Sequence, residues 1–383
     1  MRIAFYAPLK WPGHPIPSGD RLLARMFVAA LEAAGHDVVL ASRLRAFEGR
    51  GDATRQARIA AVGAGLAQRL IRRWQRAGSA APELWFTYHV YHKAPDHLGP
   101  RVARALGIPY VIAEASIAPR QRDGAWRDGH AAAAAAIRDA DAVICVNPAD
   151  VPHVTAARDA AAITTLLPPF CDVAGFVAAG ATAEARAAAA ALAPPQDSPR
   201  LVTVAMMRPG DKLASYLVLA AALERLLHRR WHLVVVGGGS AEDEVRMRFA
   251  ALGPGRATFV GTQPPPTVAA LVAGADLFVW PAVAEVIGLA LLEAQACGVP
   301  VVAGRRPGVA AIVEDGVTGR LTPPGDAAAF AAAVSALLDQ PEVRSGMARH
   351  ARDHALARHD LAAAARALDA LLTEVATRHG AAR

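Results

Sequence analysis

The chain has 383 residues, 54% of them hydrophobic and 20% charged, with a formal net charge of +7. That length predicts two domains with sizeable cores and argues against disorder outside the termini. No uncharged apolar run is long enough to span a bilayer, the start MRIAFYAPL lacks the three regions of a signal peptide, and the three cysteines are far apart. A cytoplasmic protein without a disulfide framework or structural zinc is therefore expected, with Cys145, Cys171 and Cys297 as small buried hydrophobes.

In chain order, RIAFYAPL (2–9) reads as a strand, KWPGHPIPSGDR (10–21) as a long loop and LLARMFVAALEAAG (22–35) as an amphipathic helix. Further strands are expected at 36–42, 83–90, 109–116 and 141–148, with helical segments between them. This alternation predicts a doubly wound parallel sheet. Residues 1–175 carry 21 Lys and Arg against 15 Asp and Glu, so the basic excess lies in this half. Part of it sits in RLIRRWQR (69–76), a helix with a tryptophan among arginines. That segment reads first as a solvated face and second as a peripheral contact with an anionic membrane surface at the inner face of the membrane. Nucleic acid is not expected as a partner, because aromatics are few and no binding motif accompanies the charge.

The alanine-rich, proline-punctuated stretch ending at 199 reads as a linker. A second series of strands follows at 200–207, 232–240, 257–262, 276–281 and 300–304. The expected layout is an N-terminal domain over 1–180, a linker over 181–199, a second domain over 200–355, and a closing helix over 356–383 that packs back on the first.

The most informative segment is PAVAEVIGLALLEAQACGVPVVAG (281–304). LFVWP (277–281) reads as a buried strand and GLALLEAQACG (288–298) as a helix ended by glycine. Ligands of such strand-loop-helix units sit where the loop leaves the strand, and free N–H groups at the helix start favour phosphate. Glu293 lies five residues beyond Gly288, roughly 7.5 Å along a helix axis at about 1.5 Å per residue. A carboxylate there is placed to accept from a ribose while the helix start holds a diphosphate. From Leu277 to Val302 the only ionised side chains are Glu285 and Glu293, and charges so isolated need partners. Of 41 basic residues only Lys10, Lys93 and Lys212 are lysines, each in a predicted loop after a strand, where a compact charge suits phosphate.

Other constellations carry less. Asp139-Ala140-Asp141 has the pattern of a divalent-cation site but precedes a strand instead of following one. His89 and His92 lack a third ligand, and no metal is expected. GGGS (237–240) follows a strand without the G-x-G-x-x-G pattern, which places Gly238 against a nucleotide and makes NAD an improbable ligand.

Taken in order, Arg208, the glutamate pair with its Gly-Leu, the small-residue helix, GVPVVAG and EDGVTGRLTPPGD (314–326) resemble retaining glycosyltransferases of family 4. The resemblance implies an α/β protein of GT-B architecture, two Rossmann-like doubly wound parallel-sheet domains facing across a cleft. It implies a metal-independent, hexosyltransferase-type retaining enzyme without a cofactor, taking a UDP-, GDP- or ADP-sugar and an unidentified acceptor. Arg208 and Lys212 would hold the diphosphate with the amides of Gly288 and Leu289, Glu293 the ribose, and Glu285 the donor sugar. Gly19, with Asp20 and Lys10, would approach from the other domain. Asp20 replaces the family's second loop glycine, and Glu114 stands where the family often has histidine. The rival readings are an epimerase or phosphorylase on the same fold and a non-catalytic nucleotide-sugar-binding protein.

Overall fold

The computed structural model describes the chain apart from Pro17, Ala161, residues 194–196 and 382–383. Pro17 of the expected loop and 194–196 of the expected linker thus lie outside the described residues. The chain forms two compact units, one of residues 1–167 with 361–383 and the other of residues 168–360.

The first unit is built on six parallel strands: β1 (Arg2–Tyr6), β2 (Asp37–Leu40), β3 (Leu84–Val90), β4 (Tyr110–Ala115), β5 (Ala142–Cys145) and β6 (Ile163–Leu166). They stand in the order β2-β1-β3-β4-β5-β6. The connecting helices are α1 (Gly19–Ala33), α2 (Ala53–Gln75), α3 (Gly99–Leu106), α4 (Arg127–Asp139) and α5 (Val151–Ala156). β3 is buried except at His89, as a strand covered on both faces must be. Ser18 caps α1 by accepting from the Arg21 N–H at 3.2 Å, and Asp52 caps α2 from Arg55 at 3.0 Å. Along α2, Leu70, Ile71 and Trp74 face the core, and the Trp74 ring meets Trp85 edge-on at 6.0 Å. The tryptophan of segment 69–76 is therefore a core residue and does not lie on the face that carries the arginines. The outward face of the segment offers only arginine charge.

The second unit opens with α6 (Val173–Gly180) and α7 (Ala183–Leu192), so a helix occupies much of the stretch expected as linker. A run of alanines lacks strand character but is a strong helix former, and Thr182 caps it. There follow β7 (Arg200–Val204), α8 (Asp211–Glu224), β8 (His232–Val236), α9 (Glu242–Ala250), β9 (Ala257–Gly261) and α10 (Pro265–Ala273). Then come β10 (Leu277–Trp280), α11 (Leu289–Ala296), β11 (Val301–Gly304), α12 (Pro307–Ala310), β12 (Gly319–Thr322), α13 (Ala327–Asp339) and α14 (Pro341–Arg358). The sheet order is β12-β11-β10-β7-β8-β9. β7 runs beside β10, with Leu201 opposite Leu277 and Val202 opposite Phe278. The direction of winding reverses between these two strands, and ligands of open α/β sheets bind at such a switch point. The final helix, α15 (Leu361–Ala381), belongs to the first unit.

Two strands are not foreshadowed by the sequence pattern, β6 and β12. Each is four residues long and lies at a sheet edge, so neither carries the long apolar run of a central strand.

Candidate functional site

A cavity of about 490 Å³ opens at the β7/β10 switch point, lined by Arg208, Lys212 and Ser215 on one side and Glu285 and Val286 on the other, with Ser240 at its edge. Arg208 lies on the loop after β7, Lys212 in the first turn of α8, and Glu285 on the loop after β10. Strand order thus brings together residues more than 70 positions apart. Ser215 ties the two loops, donating to the Asp211 carbonyl at 2.9 Å and accepting from the Val283 N–H at 3.1 Å.

Glu285 is engaged. Its Oε2 accepts from Lys212 Nζ at 2.5 Å and from the Trp280 indole at 3.0 Å, while the ammonium lies 5.4 Å from the Trp280 ring centroid. Charge assistance makes this a strong contact, and the ring below it adds a cation–π term. The Arg208 guanidinium is exposed and has no ion pair or hydrogen bond among the described residues.

Gly288 caps α11 in the left-handed region at φ +80°, a conformation a side chain would strain. The amides of Gly288 and Leu289 have no acceptor among the described residues, as expected at an uncapped helix start. Glu293 follows on the same helix, half-buried and with no side-chain partner among the described residues. Burial pushes its carboxyl up to about 7, and its charge raises the nearby thiols of Cys171 and Cys297 further above the values set by their own burial.

Gly238 is not among the residues that line the cavity, and neither are Gly288, Leu289 and Glu293. The Gly238 carbonyl accepts from the Met207 N–H at 2.9 Å, and the Met207 carbonyl accepts from Ala241. A Cβ on Gly237 would lie 2.0 Å from the Ala205 carbonyl oxygen, and one on Gly239 would lie 2.3 Å from that of Met207. The glycine run lets two loop backbones touch, and Ser240 is its member that reaches the cavity.

Gly19 is the first residue of α1 and belongs to the first unit. In that unit the two departures from the family pattern meet on one imidazole. His89 Nδ1 stands 3.4 Å from Asp20 Oδ1 and 3.8 Å from Glu114 Oε2. Burial, the largest influence, disfavours the imidazolium, yet Glu114 and Asp20 together raise His89 above its usual value. Burial also raises the Glu114 carboxyl, and Asp150 rises with it for the same reason. His89 and Glu114 hold φ of +65° and +59°, and such strain in non-glycine residues gathers at working sites. His92 lines a separate cavity with Lys93.

Asp139 and Asp141 serve the fold. Asp139 pairs with Arg104 at 3.0 Å, while Asp141 accepts from the Tyr110 N–H at 2.7 Å and faces His379 at 3.0 Å. No group of three or more His, Cys, Asp or Glu side chains is placed to hold a metal among the described residues. No described helix is long and apolar enough to cross a membrane.

Trp280, Ser215 and Asp150 do not stand out in the sequence. Trp280 has one faint signal, a polar-tipped ring ending a strand whose other side chains are wholly apolar. Ser215 and Asp150 have none, because their partners lie far away along the chain.

Residues 185–354 match the family profile described as Glycosyl transferases group 1. Over 178 residues the chain is 38% identical to the D-inositol 3-phosphate glycosyltransferase of Saccharomonospora viridis, covering 44% of this chain and 41% of that protein. Over 166 residues it is 31% identical to the alpha-D-kanosaminyltransferase of Streptomyces kanamyceticus, covering 43% of each. The matched region spans about two fifths of the length of these curated relatives. In fold, sucrose-phosphate synthase of Thermosynechococcus elongatus superposes with a TM-score of 0.72 at 22% identity over 98% of both chains. Anabaena HepE, solved with UDP, superposes with a TM-score of 0.74 at 17% identity over 98% of this chain and all of the other. Residues 185–354 are thus similar to the glycosyl transferases group 1 family, and the chain as a whole has a GT-B-like fold.

Proposed function

We propose that this protein transfers a glycosyl group from a nucleotide diphosphate sugar to an acceptor, retaining anomeric configuration without a metal. The observation that carries the reading is the cavity at the β7/β10 switch point, where Arg208 and Lys212 face the Glu285 carboxylate, which lies on the loop that runs into the uncapped start of α11. Breaking the anomeric bond places charge on the leaving diphosphate, and fixed cationic and N–H donors there stabilise the transition state more than the ground state. Arg208 and Lys212 are assigned to that diphosphate, with the Gly288 and Leu289 amides beside them. Glu293, with a carboxylate free to accept, is assigned to the ribose hydroxyls. Glu285 takes the sugar hydroxyls once Lys212 turns from it to phosphate, and the Trp280 indole keeps its carboxylate oriented meanwhile.

A UDP-sugar is the first donor to test, since HepE was solved with UDP and with UDP-glucose. Thermal-shift screening against uridine, guanosine and adenosine diphosphate sugars identifies the base, because specific binding stabilises the fold. In turnover with the stabilising donor and an acceptor panel, Lys212→Ala is expected to lower kcat about 100-fold, the scale of losing one transition-state donor. A variant as fast as the wild type removes Lys212 from the reaction. Product formed from donor alone points instead to an epimerase.

A further inference from the structure

A second cavity, of about 330 Å³, lies wholly within the first unit and is untouched by the donor reading. Its walls come from the loops after β2 and β3 and from the starts of α2, α3 and α4, so it opens on the carboxyl-end side of the sheet. Three helix N-termini with their positive dipole ends gather there. The cationic and imidazole groups on its walls are His92, Lys93, His97 and Arg101. Lys93 is one of only three lysines in the chain.

The cavity is built from partnered groups. Lys93 Nζ rests 4.5 Å from the Trp126 ring centroid, the Trp126 indole donates to the Glu48 carbonyl, and Gln56 bridges Ala125 and Gly129. The two carboxylates on the wall are engaged by other groups. Glu48 accepts from the backbone N–H groups of Arg50, Gly51 and Asp52 at 2.6 to 3.1 Å, and Asp128 is exposed beside Arg127. Burial lowers His92, and Lys93, His130 and Arg120 lower it further. Burial likewise lowers His97, with Arg101 adding to the fall and Asp96 opposing it. The buried Nε2 of His130, in the first turn of α4, has no hydrogen-bond partner among the described residues. Imidazoles held neutral mainly by burial, on walls that also carry Lys93 and Arg101 and beside a buried nitrogen without a partner, leave donors for an anion to engage.

We infer that this cavity binds a phosphate monoester, with Lys93 and Arg101 as its charged contacts and His92 and His97 as donors. Ile59 and Pro95 on the same wall leave an apolar side for the group that carries the phosphate.

The test is a histidine NMR titration of the full chain with glycerol 3-phosphate. Binding is expected to raise the titration midpoints of His92 and His97, because an anion favours both imidazoliums. Lys93→Met is expected to weaken binding about tenfold, the scale of a lost charge-assisted hydrogen bond. Arg101→Ala, at an exposed position, repeats the measurement if Lys93→Met folds poorly. Arg208→Ala, in the other unit, is expected to leave these histidine shifts unchanged, which separates this site from phosphate held in the donor cavity. Vesicles of phosphatidic acid competing with glycerol 3-phosphate would assign the phosphate to a lipid headgroup, and no competition would assign it to a soluble ester. His92 and His97 signals that stay fixed at millimolar ester, or a Lys93→Met protein that binds as tightly as wild type, overturn the inference.

Discussion

Glu285 and Glu293 share a loop and a helix but not an environment. Glu285 is held by Lys212 and Trp280, whereas Glu293 has only burial, which brings its carboxyl to about 7. A carboxyl raised on folding binds more protons in the native state, so its contribution to stability falls as pH rises from the usual carboxyl range toward 7. Glu293→Gln is therefore expected to leave stability unchanged near pH 4 and to raise it at pH 8 by up to about 3 kcal/mol, since each tenfold change in proton affinity is worth roughly 1.4 kcal/mol. Urea unfolding at the two pH values checks this. Nucleotide affinity follows the opposite course under the proposed ribose role of Glu293: hydroxyls would donate to the ionised carboxylate, so wild-type binding should strengthen from pH 6 to 8. The spacing of the pair was legible in the sequence, since both glutamates interrupt an apolar run. Their difference was not, because it depends on Lys212, which is brought in by the pairing of β7 with β10.

At the scale of elements, the donor cavity depends on loops that hold each other. The turn after β8 supports the loop after β7 by backbone contact, which only glycines allow at 237 and 239. Gly239→Ala would drive a methyl into the Met207 carbonyl, one residue before Arg208. The expected result is a loss of about 1–3 kcal/mol in stability, the usual scale of overpacking, together with weaker nucleotide binding. Thermal melts and calorimetry measure the two effects, and unchanged binding would show that Arg208 does not depend on this turn. From sequence, GGGS places Gly238 against a nucleotide because it follows a strand. Only the fold shows that the neighbouring glycines face another loop and that Ser240 reaches the cavity. The strands themselves were legible wherever they were long and buried, as in LWFTYHV, and not at the short edges β6 and β12.

At the scale of the molecule, the chain passes between its units at 167–168 and at 360–361, and the two passages are tied inside the second unit. Cys171 N–H donates to the His359 carbonyl at 3.0 Å, Val173 N–H donates to Asp360 at 3.2 Å, and His359 Nδ1–H donates to the Pro169 carbonyl at 2.6 Å. The other ring nitrogen of His359 accepts from His354 at 3.1 Å. Burial above all, with His354 and Arg358, pushes His359 down to about 4 against the opposing pull of the Pro169 carbonyl. A histidine depressed on folding binds fewer protons in the native state, so its contribution is present above about 6.5 and is lost as pH falls toward 4. His359→Gln should remove that slope, worth about 3 kcal/mol between those limits, and denaturant unfolding of both proteins at pH 7 and 4.5 checks it. The slope runs against that of Glu293, so comparing each variant with wild type isolates either group.

Sequence alone determined the class of fold and singled out the segment around Glu293, because strand and helix periods, apolar run lengths and the ordered series around that residue are local properties. It also singled out Asp20 and Glu114 as departures. Tertiary structure decided what those residues do: Asp20 and Glu114 flank His89, Lys212 clamps Glu285, and Trp74 enters the core instead of facing outward. It decided too that 183–192 is a helix of the second unit and that α15 belongs to the first. Each of these outcomes depends on which strands lie side by side. Strand order is set by packing the whole chain, so no window of neighbouring residues contains it.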